Sequence, residues 1–221
     1  MVQSADVATQ AEAKSESGAG SGAGPGSGSG ALPATPRDRL LRQVLDHVVA
    51  HGLGALSLRE LASAIGTSHR MLIYHFGSKE NLVVEVIRAL EADQRALFAD
   101  TAADPAVDPL DAARLMWRRI TDPALRPQER LFFEVYGQAL QGRPGTTALL
   151  DGIIESWEVP IADEAIRRGF PPAEARAQAR LGVAVTRGLL LDLLASGDLD
   201  AVNNAFETFL SLVQQRRDRG A

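Results

Sequence analysis

Six side chains within twelve residues, Ser68, His69, Arg70, Tyr74, His75 and Lys79, bring hydroxyl, imidazole, guanidinium, phenol and ammonium groups close together in the chain. None of them has a nucleophile, a second acid or a third metal ligand at workable spacing, so His75 is not read as a catalytic base. What they share is chemistry toward phosphates and base edges: a guanidinium pairs bidentately with guanine O6 and N7, while hydroxyls, amides and cations hold phosphates. The elements that must position them are legible. Ser57-Leu58-Arg59-Glu60 is a capping box that opens a short helix, and Gly66 permits the sharp turn that swings the next helix away. That next helix, 68–76, places Leu72 and Phe76 inward and leaves Ser68, His69, Arg70 and Tyr74 outward. This spacing is that of a helix-turn-helix, whose second helix meets the major groove with its N-terminal end.

The flanking elements support that unit. Thr35-Pro36-Arg37-Asp38 carries an N-cap, a proline suited to the first helical position and an acid that complements the helix dipole. Leu41, Val44, Leu45, Val48 and Val49 then form one apolar face of a helix that stops at His51-Gly52. Ser78 caps a long helix to about residue 99. Further helices are expected near 108–121, 127–141, 145–169 with a kink at Pro160, 172–195 and 199–216. No convincing strand pattern occurs. The fold class is therefore all-α, about nine helices, with an N-terminal helix-turn-helix followed by a helical body. Residues 18–30 hold seven glycines in thirteen positions and nothing large and apolar to bury, so residues 1–34 are expected to be a disordered tail.

Composition closes off several function classes. The chain has 221 residues, 45% of them hydrophobic, and no cysteine, which excludes disulfides, thiolate metal sites and a cysteine nucleophile. No window of about 18 uncharged apolar residues exists, so no membrane span is expected, and the default is a cytoplasmic protein. Charge is informative once divided: residues 37–81 carry six basic against four acidic side chains and all four histidines, whereas 82–221 carry 16 basic against 21 acidic ones. A mildly basic module thus precedes an acidic body. His47 and His51 stand four residues apart on a helix, but with no third ligand nearby they are read as packing or solvated side chains, and neither a metal nor a cofactor is expected.

The run Gly66-Thr67-Ser68, Leu72-Ile73-Tyr74-His75-Phe76-Gly77-Ser78-Lys79-Glu80-Asn81-Leu82 resembles the DNA-binding signature of TetR-family transcriptional regulators. The resemblance covers about residues 37–85. Leu72, His75, Phe76, Lys79 and Leu82 stand at the family's positions, while Ile73 stands where a phosphate-contacting tyrosine is usual, with Tyr74 after it; which of the two faces the DNA backbone stays open. The resemblance implies a homodimer on double-stranded, palindromic operator DNA, with Ser57, Thr67, Ser68, His69, Arg70, Met71, Tyr74, His75 and Lys79 as the contact set. It also implies a variable helical domain, 86–221, that binds a small effector and dimerises, giving a ligand-responsive regulator, more often a repressor. A constitutive DNA-binding dimer and, less readily, a carboxylate-based enzyme are the alternatives.

Within the body, Trp117, Phe132, Phe133, Tyr136 and Trp157 lie on three successive helices, between which an apolar effector pocket is expected, lined by Trp117, Phe133, Tyr136 and Trp157 with Ala139 beside Tyr136. Core packing accounts for each about as well. Glu158, Asp163 and Glu164 are read as solvated acids rather than as groups that orient a cationic ligand. The last two helices, with Leu181, Val185, Leu189, Leu193, Val202, Phe206, Phe209, Leu210 and Val213, suit either a buried core or a two-fold four-helix interface, and the family resemblance implies the interface.

Overall fold

The structure is a computed structural model that describes residues 35–51, 57–104 and 106–220. The expected tail at 1–34 and the stop at Gly52 lie outside the described residues. Nine α-helices order those that are described: α1 Pro36–His51, α2 Leu58–Ala64, α3 His69–Phe76, α4 Lys79–Ala103, α5 Pro109–Ile120, α6 Arg126–Leu140, α7 Glu155–Arg167, α8 Pro172–Ser196 and α9 Leu199–Gly220. Two short 3-10 turns, Pro123–Leu125 and Thr147–Leu150, precede α6 and α7. No strand occurs among the described residues.

Local chemistry explains most of the helix starts. Thr35 and Asp38 bond reciprocally, the Thr35 hydroxyl accepting from the Asp38 amide at 3.1 Å and the Asp38 carboxylate accepting from the Thr35 amide at 2.9 Å. Ser57 and Glu60 do the same at α2, and single serine caps open α3 and α4, Ser68 accepting from the Met71 amide and Ser78 from the Asn81 amide. Each cap satisfies a backbone donor that the first turn leaves unpaired.

One expected element is corrected. Residues 145–169 do not form a single helix kinked at Pro160; a 3-10 turn and an extended corner occupy 147–154, and α7 begins only at Glu155 with Pro160 inside it. The physical cause is at Gly145 and Gly152, whose φ values of +83° and +69° are left-handed and cannot continue an α-helix. Leu149 and Ile153 keep helix-like spacing in sequence, but the corner uses them to plug the core under α4 and α6.

That core is continuous from α1 to the corner. Val44 and Val48 of α1, Leu58 and Leu61 of α2, Leu72 and Phe76 of α3, and Leu82 to Ile87 of α4 pack with Phe132, Val135 and Ala139 of α6. A second cluster joins α5, α8 and α9 through Trp117, Ile120, Leu190, Leu193, Val202, Phe206 and Leu210. Small residues Ala162, Ala175 and Ala179 let α7 and α8 approach closely.

The two left-handed glycines of the corner separate backbone strain from steric fit. A Cβ at Gly145 would lie 2.9 Å from the Glu80 Cβ, while one at Gly152 would meet nothing within 4 Å. Gly152→Ala is expected to cost about 1 kcal/mol from its φ alone. Gly145→Ala is expected to cost roughly 1–3 kcal/mol more, because the start of α4 must also move. Urea unfolding of both variants checks this; equal losses would show that the contact with Glu80 carries no weight.

Candidate nucleic-acid interface and helical cavity

The first site is built on α2, the turn at Gly66 and α3. Leu72 and Phe76 are buried on the inner side of α3, which fixes the rotation of the helix and turns Ser68, His69, Arg70, Met71 and Tyr74 to solvent. Thr67, His75 and Lys79 are half-buried at the edges of the same face, and Ser57 is exposed at the start of α2. All nine residues expected to touch DNA lie between the start of α2 and the start of α4, and none of them is buried. Tyr74 is 78% exposed and Ile73 37%, so the phenol projects much further than the neighbouring aliphatic chain. Arg70 and Lys79 form no ion pair among the described residues.

Electrostatics on this face favour an anion. Glu60 is occupied by its cap, and the Ser57 amide and hydroxyl, with Lys79 nearby, hold its carboxyl below the usual carboxylate range. Lys79 is the first residue of α4, where unpaired amides and the helix dipole add positive potential beside its ammonium. The Ser57 and Ser68 hydroxyl oxygens accept the cap bonds, leaving each O–H proton available to a phosphate oxygen.

The second site is a partly open cavity of about 450 Å³ lined by α4 to α9. Trp117, Phe133 and Trp157 stand on its wall, with Phe132 beside them, joined by Phe98, Phe206 and Phe209. Tyr136 and Ala139 do not reach it. Tyr136 stacks on Phe132 at 5.5 Å under the Arg187 guanidinium, and Ala139 is buried in the first core, because α6 turns that part of its apolar stripe toward α4 and the corner. Of the acids near Pro160, Glu158 pairs with Arg180 at 3.1 Å, while Asp163 and Glu164 border the cavity. On α8 and α9, Leu193, Val202, Phe206 and Leu210 are core residues, whereas Leu181, Leu191 and Leu212 are more than half exposed.

The cavity's polar groups are the part that the sequence reading missed. Trp157 Nε1–H donates to Glu91 Oε2 at 2.6 Å, and Trp117 Nε1–H donates to Asn203 Oδ1 at 2.8 Å. Arg187 lies 3.7 Å from Glu91, donates to the Ile153 carbonyl at 3.0 Å and covers the Phe132 ring at 5.4 Å. Glu129 is 5% exposed, and burial, reinforced by the charge of Glu91 and opposed by a hydrogen bond from Gln94, pushes its carboxyl up to about 7. A signal for it existed: Glu129 stands three, four and seven residues before Phe132, Phe133 and Tyr136, on the apolar stripe of its own helix.

The family model of the bacterial regulatory proteins of the tetR family matches residues 48–86, from the end of α1 into α4. No curated protein is matched by the chain in sequence. Solved structures of the same architecture cover almost the whole body as well. A transcriptional regulator from Rhodococcus sp. is 22% identical with a TM-score of 0.64, over 82% of this chain and 97% of that one. A TetR transcriptional regulator from Legionella pneumophila is 16% identical with a TM-score of 0.57, over 82% and 98% of the two chains. The multidrug binding protein EbrR, complexed with imidazole, is 20% identical with a TM-score of 0.57, over 81% and 91%. The segment that matches the tetR family model thus forms an exposed, polar helix-turn-helix, and the helical body that carries it has the fold of these solved regulators.

Proposed function

We propose that the chain is a cytoplasmic, homodimeric repressor that leaves a palindromic operator when a small organic effector occupies the cavity. The observation that carries this reading is the course of α4. It opens at Lys79 on the DNA-facing side and, about 18 Å further along its axis at 1.5 Å per residue, forms the cavity wall through Glu91. One rigid element thus touches both sites. Residues 35–85 read DNA and 86–221 bind effector and partner. EbrR holding imidazole in a related fold, and a mainly apolar cavity of a size usual for small ligands, support the effector. The exposed leucines of α8 and α9 support a second copy packing there. No residue is assigned a catalytic role.

In this reading Arg70 contacts a base, with Ser68, His69 and Met71 beside it. Thr67, Tyr74, His75, Lys79 and the Ser57 hydroxyl hold the backbone on either side, Tyr74 in preference to Ile73 because of its greater reach. Arg70→Ala is expected to cost about 1–3 kcal/mol and to relax preference at one base pair per half-site. Selection from randomised duplexes measures this, and an unchanged base profile refutes the assignment. Lys79→Ala is expected to weaken all sequences alike and to lower the salt slope by about one, as for one lost phosphate contact; altered base preference would count against it.

The effector arm is tested at Gly182, which lines the cavity on α8 and whose Cβ would meet only the Phe209 ring at 4.0 Å. Gly182→Leu fills the space without disturbing the first core. Operator affinity by fluorescence anisotropy is expected to match wild type without extract. It is expected to lose the response to a small-molecule extract that releases the wild type. A full response in the variant would place the effector elsewhere; no extract acting on the wild type would favour a constitutive DNA-binding dimer.

A further inference from the structure

The cationic and anionic groups around the cavity are unevenly matched. Arg187 is held by Glu91 and the Ile153 carbonyl, Arg167 and Arg168 by Glu164, and Arg217 by Asp108 at 3.4 Å. Glu129 has no such partner. Its one hydrogen bond is from Gln94 Nε2 at 3.1 Å to Oε1, and no cationic side chain lies within ion-pair distance of it among the described residues. An acid in this position is costly, because a buried carboxylate loses its hydration without a compensating charge. The groups that act on it from the neighbouring element are Glu91 and Gln94 of α4, with Arg187 of α8 and Arg95 of α4 both committed to Glu91. Glu91 raises the cost further.

We propose that the cavity selects an amphipathic organic cation, whose positive centre is met by Glu129 and whose apolar body lies against the rings of Phe98, Phe132 and Trp157. This deepens the effector reading above and rests on it. A cation supplies the charge that the protein withholds from Glu129, and it gains further from aromatic faces within reach. An organic anion meets two carboxylates whose nearby guanidiniums, those of Arg187 and Arg95, are both already engaged with Glu91. A neutral apolar molecule fills the volume but leaves Glu129 desolvated. Burial that holds the carboxyl at about 7 agrees with a group kept poised for a partner that arrives from outside.

The test uses the full-length chain and two probes of one shape, naphthylmethyl-trimethylammonium and its neutral isostere neopentylnaphthalene. Binding is followed by isothermal titration calorimetry and by fluorescence of Trp117 and Trp157, the chain's two tryptophans, both on the cavity wall. The wild type is expected to prefer the cation by about tenfold or more. Glu129→Gln keeps the shape of the side chain and the contact with Gln94. It is expected to bind the neutral probe unchanged and to lose the preference. Equal affinities in the wild type, or a preference that survives in Glu129→Gln, overturn the assignment while leaving the cavity a ligand site. Uptake of neither probe overturns the assignment and the cavity reading together. The wild-type comparison decides alone should the variant not fold.

Discussion

Everything on the helix-turn-helix side depends on how completely α4 is buried over its first turns. Leu82, Val83, Val84, Val86 and Ile87 are all inaccessible or nearly so, a pattern that no amphipathic surface helix shows. The helix is gripped from one side by α1 to α3 and from the other by α6 and the corner at 147–154. Helices α2 and α3 have seven and eight residues, too few to persist alone in water, and they exist because Leu58, Leu61, Leu72 and Phe76 dock onto this element. The recognition surface is therefore an outcome of core packing behind it.

The same packing restricts how the two ends of the molecule can move. The glycine corner sits against the first turn of α4, with no room for a Cβ at Gly145 beside Glu80 and with the Arg88 guanidinium bonded to the Ala148 carbonyl. Arg187 bridges cavity and core, reaching Glu91, the Ile153 carbonyl and the Phe132 ring from α8. A molecule in the cavity that displaces Arg187 or Phe132 acts on the element that holds the helix-turn-helix. On the proposed reading, its effect on DNA affinity is bounded by its preference for one arrangement of these contacts over another, typically about 1–3 kcal/mol.

What was legible in the sequence was what local chemistry determines. The Ser57–Glu60 box, the serine caps at 68 and 78, and the inward phase of Leu72 and Phe76 depend on residues within four positions of one another, and the structure has each of them. The corner was not legible, since Leu149, Leu150, Ile153 and Ile154 have helical spacing and only the φ of two glycines breaks it. Tyr136 and Ala139 share a stripe with Phe133, yet a one-turn difference along α6 divides core from cavity, which depends on where α8 and α9 lie. Glu129 was the clearest unread sign, an acid in phase with aromatic residues. Its partners Gln94 and Glu91 are 35 or more residues away, beyond any local pattern.

The empty volume among α4 to α9 also bears on how long the protein survives. Space lined by Trp117, Phe132 and Trp157 forfeits contacts that a filled core would make, so the unliganded body is less stable than its length would allow. Any molecule that fills it shifts unfolding by mass action, in proportion to the logarithm of its concentration over its dissociation constant. Proteases that act on transiently opened chains then remove the empty form faster than the filled one. On the proposed reading, the abundance of the protein is thereby tied to its effector, separately from its affinity for DNA.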